Sequence, residues 1–219
     1  MSKSLGNQIT IKNFVKKWDS EVLRLSFMQN HYLSNVDFSE QVFSSCRKKL
    51  YYYYQTLLEL EKKSQGLSET EKEAAKSLDK SLEKNFRKSM SDNFNTPQAF
   101  AELNKFVRTA NAQLAKNKKN SEGIFYNKFY QIKEMGKILG LLQQEPKTFI
   151  QSHNQSLLKE VNLGIDEIEA KINSRNEARL AKNWKLSDEI RDELLGKGIV
   201  LSDQANGTVW SLRDTLDEN

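Results

Sequence analysis

Between Phe43 and Leu142, apolar side chains recur every three or four residues in four successive stretches, a spacing that specifies packed helices. In the first stretch Phe43, Cys46, Leu50, Tyr53, Leu57 and Leu60 form one stripe. Their helix is expected over Asp37 to Lys63, because Asp37-Phe38-Ser39-Glu40 has capping-box spacing. Gly66 interrupts the pattern, and Ser68-Glu69-Thr70-Glu71 opens a second helix with Ala75, Leu78, Leu82 and Phe86 on one side. A third begins with Thr96 as N-cap and Pro97 in the first position, where the missing N–H has no partner to lose. Its apolar face is Phe100, Leu103, Phe106, Val107, Ala110 and Leu114. After a polar loop, Phe125, Phe129, Ile132, Met135, Leu139 and Leu142 mark a fourth helix, stopped at Glu145-Pro146. Four such stripes joined by short loops imply an antiparallel helical bundle. Tyr51 to Tyr54 place aromatics at four consecutive positions, so at least one hydroxyl faces outward.

The flanks read differently. Gln8 to Ile11 looks like a short strand, and Lys12 to Trp18 like a short helix. Asp19 or Ser20 caps the next helix, which Val22, Leu23, Leu25, Phe27 and Met28 nearly encircle, so it is expected to be buried. Gln151 to Asn162 is polar without clear periodicity and reads as a linker. Ile165, Ile168 and Ile172 then start a helix running to about Asn183. Trp184 starts another, with Leu186, Ile190 and Leu194 inward and Gly198 ending it. Ile199-Val200-Leu201 and Thr208-Val209-Trp210 flank Asn206-Gly207, a hairpin signature. The expected fold is mainly α. A first region (1–50) precedes the helical bundle (51–146), a linker (147–162) and a small α+β C-terminal module (163–219).

Composition agrees and excludes several classes. Charged residues at 29% and hydrophobic residues at 37%, with 9 Gly and 2 Pro, fit a helical chain rather than a disordered or β-rich one. No apolar run reaches the roughly 20 residues that span a bilayer, and no apolar signal core stands at the N-terminus, so a cytoplasmic location is expected. One cysteine, Cys46, allows no internal disulfide and no cysteine-rich metal site, and its apolar setting suggests an inert buried thiol. His31 and His153 lack partner spacing, and no Gly-rich phosphate loop or nucleophile elbow is present. The sequence therefore shows no metal site and no complete catalytic centre. A net charge of +5 fits a polyanionic partner without establishing one.

Two constellations carry chemistry. At the N-terminus Ser2, Lys3 and Ser4 precede Leu5 and Gly6. An ammonium and small hydroxyls on a flexible loop can stabilise negative charge developing on a leaving pyrophosphate, and Gly6 permits a tight turn behind them. An ordinary flexible terminus has the same composition. Near the other end, Arg175, Arg179, Lys182, Trp184, Lys185 and Arg191 mix cations with an indole, and Arg175 and Arg179 share one helix face. Cations fix phosphates, and aromatic or guanidinium planes stack on unpaired bases. Asp188 and Asp203 can accept from base amino or imino groups. The competing reading puts Trp184 in the core and makes the charges a solvated helix face.

Beyond these residues, the chain resembles the C-terminal half of bacterial cysteinyl-tRNA synthetases over nearly all its length. M-S-K-S-L-G-N (1–7) is similar to the class I synthetase ATP loop without its leading lysine. D-S-E-V-L-R (19–24), H-Y-L-S-N-V-D-F-S (31–39), D-N-F-N-T-P (92–97) and L-G-L-L-Q-Q-E-P (139–146) resemble family blocks in order. R-N-E-A-R-L-A-K-N-W (175–184), D-E-I-R-D (188–192), G-I-V-L-S-D (198–203) and N-G-T-V-W (206–210) complete the set. Leu33 stands where the family usually has arginine, and Asn93 where it usually has aspartate. The resemblance implies a stem-contact region, an anticodon-binding-type bundle and a terminal module that grips the anticodon. Lys3, with Ser2 and Ser4, would contact ATP phosphates. Arg179, Trp184, Asp188 and Asp203, with Arg175 beside them, would bind tRNA. The implied partners are cysteine tRNA and an upstream catalytic domain, in a monomer. Zinc and the cysteine pocket would belong to that upstream half, so this chain alone is expected to be inactive. A stand-alone tRNA-binding module and a helical protein-interaction scaffold remain open alternatives.

Overall fold

The structure is a computed structural model that describes residues 9–116, 121–160, 164–204 and 207–212. The chain divides into two compact units, Met1–Ile150 and Gln151–Asn219. In the first, α1 (Ile11–Phe14) and α2 (Ser20–Met28) lead into the long α3 (Glu40–Lys63). These are followed by α4 (Glu69–Ala75), α5 (Ser81–Ser91), α6 (Thr96–Lys116) and α7 (Glu122–Leu139). Helix α3 packs on α2, α6 and α7, and α5 packs on α6, so the apolar stripes meet in one core. Phe43, Cys46, Leu50, Tyr53, Leu57 and Leu60 are all buried in it, as are Phe100, Leu103, Phe106, Ile132 and Leu139. Tyr54 joins them and stacks on Phe149 at 3.9 Å between ring centroids, whereas Tyr52 faces outward.

Several boundaries depart from the sequence reading, each for a local reason. Ile9 and Thr10 form no strand. Thr10 instead caps α1, accepting the Asn13 N–H. Helix α2 is capped by Asp19, whose carboxylate accepts the Glu21 N–H at 2.7 Å. It is not buried all round, because Val22 and Leu25 point inward while Phe27 is exposed. The cap of α3 is Ser39, not Asp37, whose carboxylate accepts from the Ser39 hydroxyl. The Ser68/Glu71 capping box forms as expected, yet its helix stops at Ala75. Leu78 is exposed, and the Asp79 carboxylate accepts the Ser81 N–H, starting α5 separately. Helix α6 is capped by Asn95 rather than Thr96, since Asn95 Oδ1 accepts the Gln98 N–H.

Helix α7 ends at Gly140, in the left-handed region at φ 65°, not at Pro146. There the Leu141 N–H returns to the Gly136 carbonyl at 2.8 Å. Pro146 instead begins α8 (Pro146–Glu160), where Glu145 acts as the cap by accepting the Lys147 and Thr148 N–H groups. The segment expected as a linker is therefore helical through Glu160. The sparse apolar positions Phe149, Leu157 and Leu158 still bury, although the first two stand eight positions apart.

The second unit contains α9 (Ile165–Leu180), α10 (Trp184–Gly196) and the antiparallel hairpin β1 (Ile199–Gln204) and β2 (Gly207–Leu212). Its core is small: Leu158, Ile168, Ile172, Leu194 and Ile199, with Ile190, Leu201 and Trp210 packed against them. Leu186, expected inward, is exposed. Gly198, at φ 80°, makes the turn from α10 into β1. Among the described residues no helix is long and apolar enough to cross a membrane.

Candidate nucleic-acid interface

In the second unit, helix α9 brings Arg175 and Arg179 to the hairpin from one face, one turn apart. The hairpin register sets Asp203 of β1 opposite Thr208 of β2. Arg175 grips the Asp203 carboxylate with two parallel bonds, Nη1 to Oδ1 at 3.0 Å and Nη2 to Oδ2 at 3.1 Å. Arg179 Nη1 donates to Oδ2 at 2.5 Å, and the Thr208 hydroxyl donates to Oδ1 at 2.8 Å. The Arg175 side chain is only 6% exposed, against 40% for Arg179 and 45% for Asp203. The Arg175 guanidinium, then the Thr208 hydroxyl and Arg179, hold the Asp203 carboxyl well below the usual carboxylate range.

The structure thus brings Arg179 and Asp203 together. Arg175 does not stand with the exposed cations. It is buried because a planar fork beneath the hairpin satisfies both carboxylate oxygens at once. Thr208 and Asn176, whose Oδ1 lies 3.2 Å from the Thr208 hydroxyl, were not expected in this cluster. The observed register, which pairs Gln204 with Gly207, is what sets Thr208 opposite Asp203; a turn with Asn206 and Gly207 as its two central residues would set Trp210 there instead.

At the start of α10, Trp184 is 58% exposed, so the indole is a surface group and not core. The turn before it places Lys182 at φ 57°, and the Asn183 side chain caps α10 by accepting the Leu186 N–H. Asp188 follows Trp184 by one turn and is exposed, as are Leu180, Lys182, Lys185 and Arg191. Lys171 to Glu193 at 2.7 Å and Lys197 to Glu167 at 3.4 Å clasp α9 to α10. The module thus offers an exposed indole, exposed cations and a carboxylate fixed in direction, the side-chain types that hold single-stranded RNA.

The first unit holds a different polar centre. Glu21 is buried, and its carboxylate accepts from the Tyr54 hydroxyl at 3.0 Å, the Leu142 N–H at 2.9 Å and the Gln143 N–H at 3.0 Å. Burial raises its pKa despite these bonds. Cys46 is fully buried, accepts from Gln29 Nε2, and has its thiol pushed up to about 11 by burial, which makes it inert as expected. His31 stacks on Tyr32, whose hydroxyl donates to Asn93 at 2.8 Å, and Leu33 beside them is exposed. Among the described residues no group of three or more His, Cys, Asp or Glu could hold a metal ion, so the zinc of the resembled family has no fit there. Ser2, Lys3 and Ser4 lie outside the described residues.

Comparison with known proteins defines the class first. Residues 1–48 match the class I (C) tRNA synthetase catalytic domain, and residues 85–143, from within α5 to just beyond α7, match the DALR domain. The chain is 37% identical over 216 residues to the cysteine–tRNA ligase of Glaesserella parasuis serovar 5 (strain SH0165), covering 96% of this chain and 41% of that protein. It is 36% identical over 220 residues to that of Geobacter metallireducens, covering 97% and 45%. The chain belongs to the cysteine–tRNA ligase family, and it spans less than half the length of these relatives.

Proposed function

We propose that this chain is the tRNA-binding portion of a cysteine–tRNA ligase, the enzyme that activates cysteine with ATP and transfers it to cysteine tRNA. In this reading the C-terminal module reads the anticodon. Trp184 stacks on a base, Arg179 contacts the strand, and Asp188 and Asp203 accept from base donors. Ser2, Lys3 and Ser4 approach the ATP phosphates, and residues 1–50 contact the stem of the tRNA. Cysteine and zinc are handled by parts of the enzyme other than the described residues, so this chain by itself does not aminoacylate.

The observation that carries the reading is that one module presents both an exposed Trp184 and a carboxylate already oriented by Arg175. Filter binding against cysteine tRNA over a salt series tests it. Affinity is expected to fall steeply with salt, in proportion to the phosphates contacted. Replacing the anticodon is expected to weaken binding further at every salt concentration. Equal affinity for all tRNAs rejects anticodon reading, and no binding in dilute buffer rejects the RNA role. In an active full-length enzyme, Lys3→Ala is expected to slow aminoacylation while tRNA affinity stays unchanged.

A further inference from the structure

We propose that Arg175 and Thr208 are positioning residues that aim Asp203 at a base, and that Arg179 leaves Asp203 when RNA binds. This rests on the anticodon-reading role given above to Asp203 and Arg179. An ionised carboxylate has about four acceptor positions. On Asp203 all are occupied: Oδ1 by Arg175 and Thr208, and Oδ2 by Arg175 and Arg179. A base amino or imino group can be accepted only after one donor departs.

The donors differ in what departure costs. Arg175 is buried and bonded to both oxygens, and removing it strands a buried cation. The Thr208 hydroxyl can turn to Asn176 Oδ1 at 3.2 Å, but that leaves its oxygen beside Asp203. Arg179 makes a single bond from a position open to solvent, where an ion pair contributes little. Arg179 is therefore the donor that gives way. Its guanidinium passes to the RNA, a base donor takes its place on Oδ2, and Arg175 keeps its grip throughout. Arg175 then governs which base is accepted without touching it.

The test uses the whole chain, cysteine tRNA, and tRNAs in which single anticodon bases are replaced by ones lacking the matching amino or imino donor. Arg175→Lys keeps the charge but cannot hold two oxygens in a fixed plane. Its discrimination against one such replacement is expected to fall about tenfold or more, with the salt slope of binding unchanged. In the complex, the guanidinium NMR signals of wild-type Arg175 are expected to stay in place while those of Arg179 move. A uniform loss of affinity for every tRNA with a shallower salt slope would make Arg175 a phosphate contact and overturn the proposal. Unchanged discrimination overturns it as well. If Arg175→Lys unfolds the module, Thr208→Val carries the test, with a smaller loss of discrimination expected and unaltered discrimination counting against the proposal. Wild-type protein that ignores all anticodon replacements would instead defeat the anticodon reading itself.

Discussion

Glu21 in the first unit and Asp203 in the second are both carboxylates held by several donors, yet their pKa values move in opposite directions. Glu21 is buried and its donors are neutral: two backbone N–H groups and a tyrosine hydroxyl. Desolvation outweighs those bonds. Asp203 is half exposed and its principal donors are guanidinium groups, so charge pairing outweighs desolvation. The first arrangement ties α2, α3 and the turn after α7 into one core. The second leaves a charged acceptor within reach of solvent. A carboxylate enclosed by neutral donors organises a fold, whereas one held by cations at a surface keeps its charge and can exchange an exposed donor for a ligand.

The contrast is most easily broken by cutting into the larger core. Leu57→Ala is expected to cost the first unit about 2–5 kcal/mol, read by denaturant unfolding. Hydrogen exchange in α9 and α10 is expected to stay unchanged, and loss of protection there would mean that the two units do not fold independently. Next in size, Trp184→Ala is expected to cost about 1–3 kcal/mol of tRNA affinity. Its stability is expected to stay within about 0.5 kcal/mol of the parent, because the indole is exposed. Lost folding with unchanged affinity would return Trp184 to the core. Asn183→Ala removes the cap of α10 and is expected to cost the module about 1 kcal/mol, visible in exchange of the α10 amides alone.

The smallest effect is the most specific, since it depends on sign. The folded pKa of Glu21 is raised above its ordinary value of 4.5. The native state therefore holds the proton longer than the unfolded chain, and the first unit loses stability as pH rises from 4.5 through the folded value. Asp203 is lowered from 3.8, so its contribution is fully present above that value and is lost as pH falls below it toward the folded value. Exchange measured separately in the two units during an acid titration is expected to show these opposite slopes. Glu21→Gln is expected to flatten the first and leave the second.

Much of the bundle is legible in the sequence because burial on a helix leaves a period, and the stripes of α3, α6 and α7 keep it throughout. The break between α4 and α5 is hidden because Leu78 continues the period although its side chain is exposed. The decision is made by the Asp79 side chain, which accepts the Ser81 N–H where α5 begins. Helix α8 is hidden for the opposite reason, since a polar run with few apolar positions becomes helical once Glu145 and Pro146 start it. In the candidate site the residue types are legible but their pairing is not. Arg175 and Arg179 lie four positions apart with the same side chain, yet one is buried and one is open. Only the placement of β1 against α9 decides which is which.

The central claim, that the C-terminal module and not the bundle core grips RNA bases, is most directly tested with the three tryptophans, Trp18, Trp184 and Trp210, replaced by fluorotryptophan. Trp18 lies buried in the first unit and serves as the internal control. On addition of cysteine tRNA the Trp184 fluorine resonance is expected to shift while that of Trp18 stays fixed, and a tRNA with a foreign anticodon is expected to leave both in place. A Trp184 signal indifferent to cysteine tRNA, under conditions where the chain is bound, would contradict the claim.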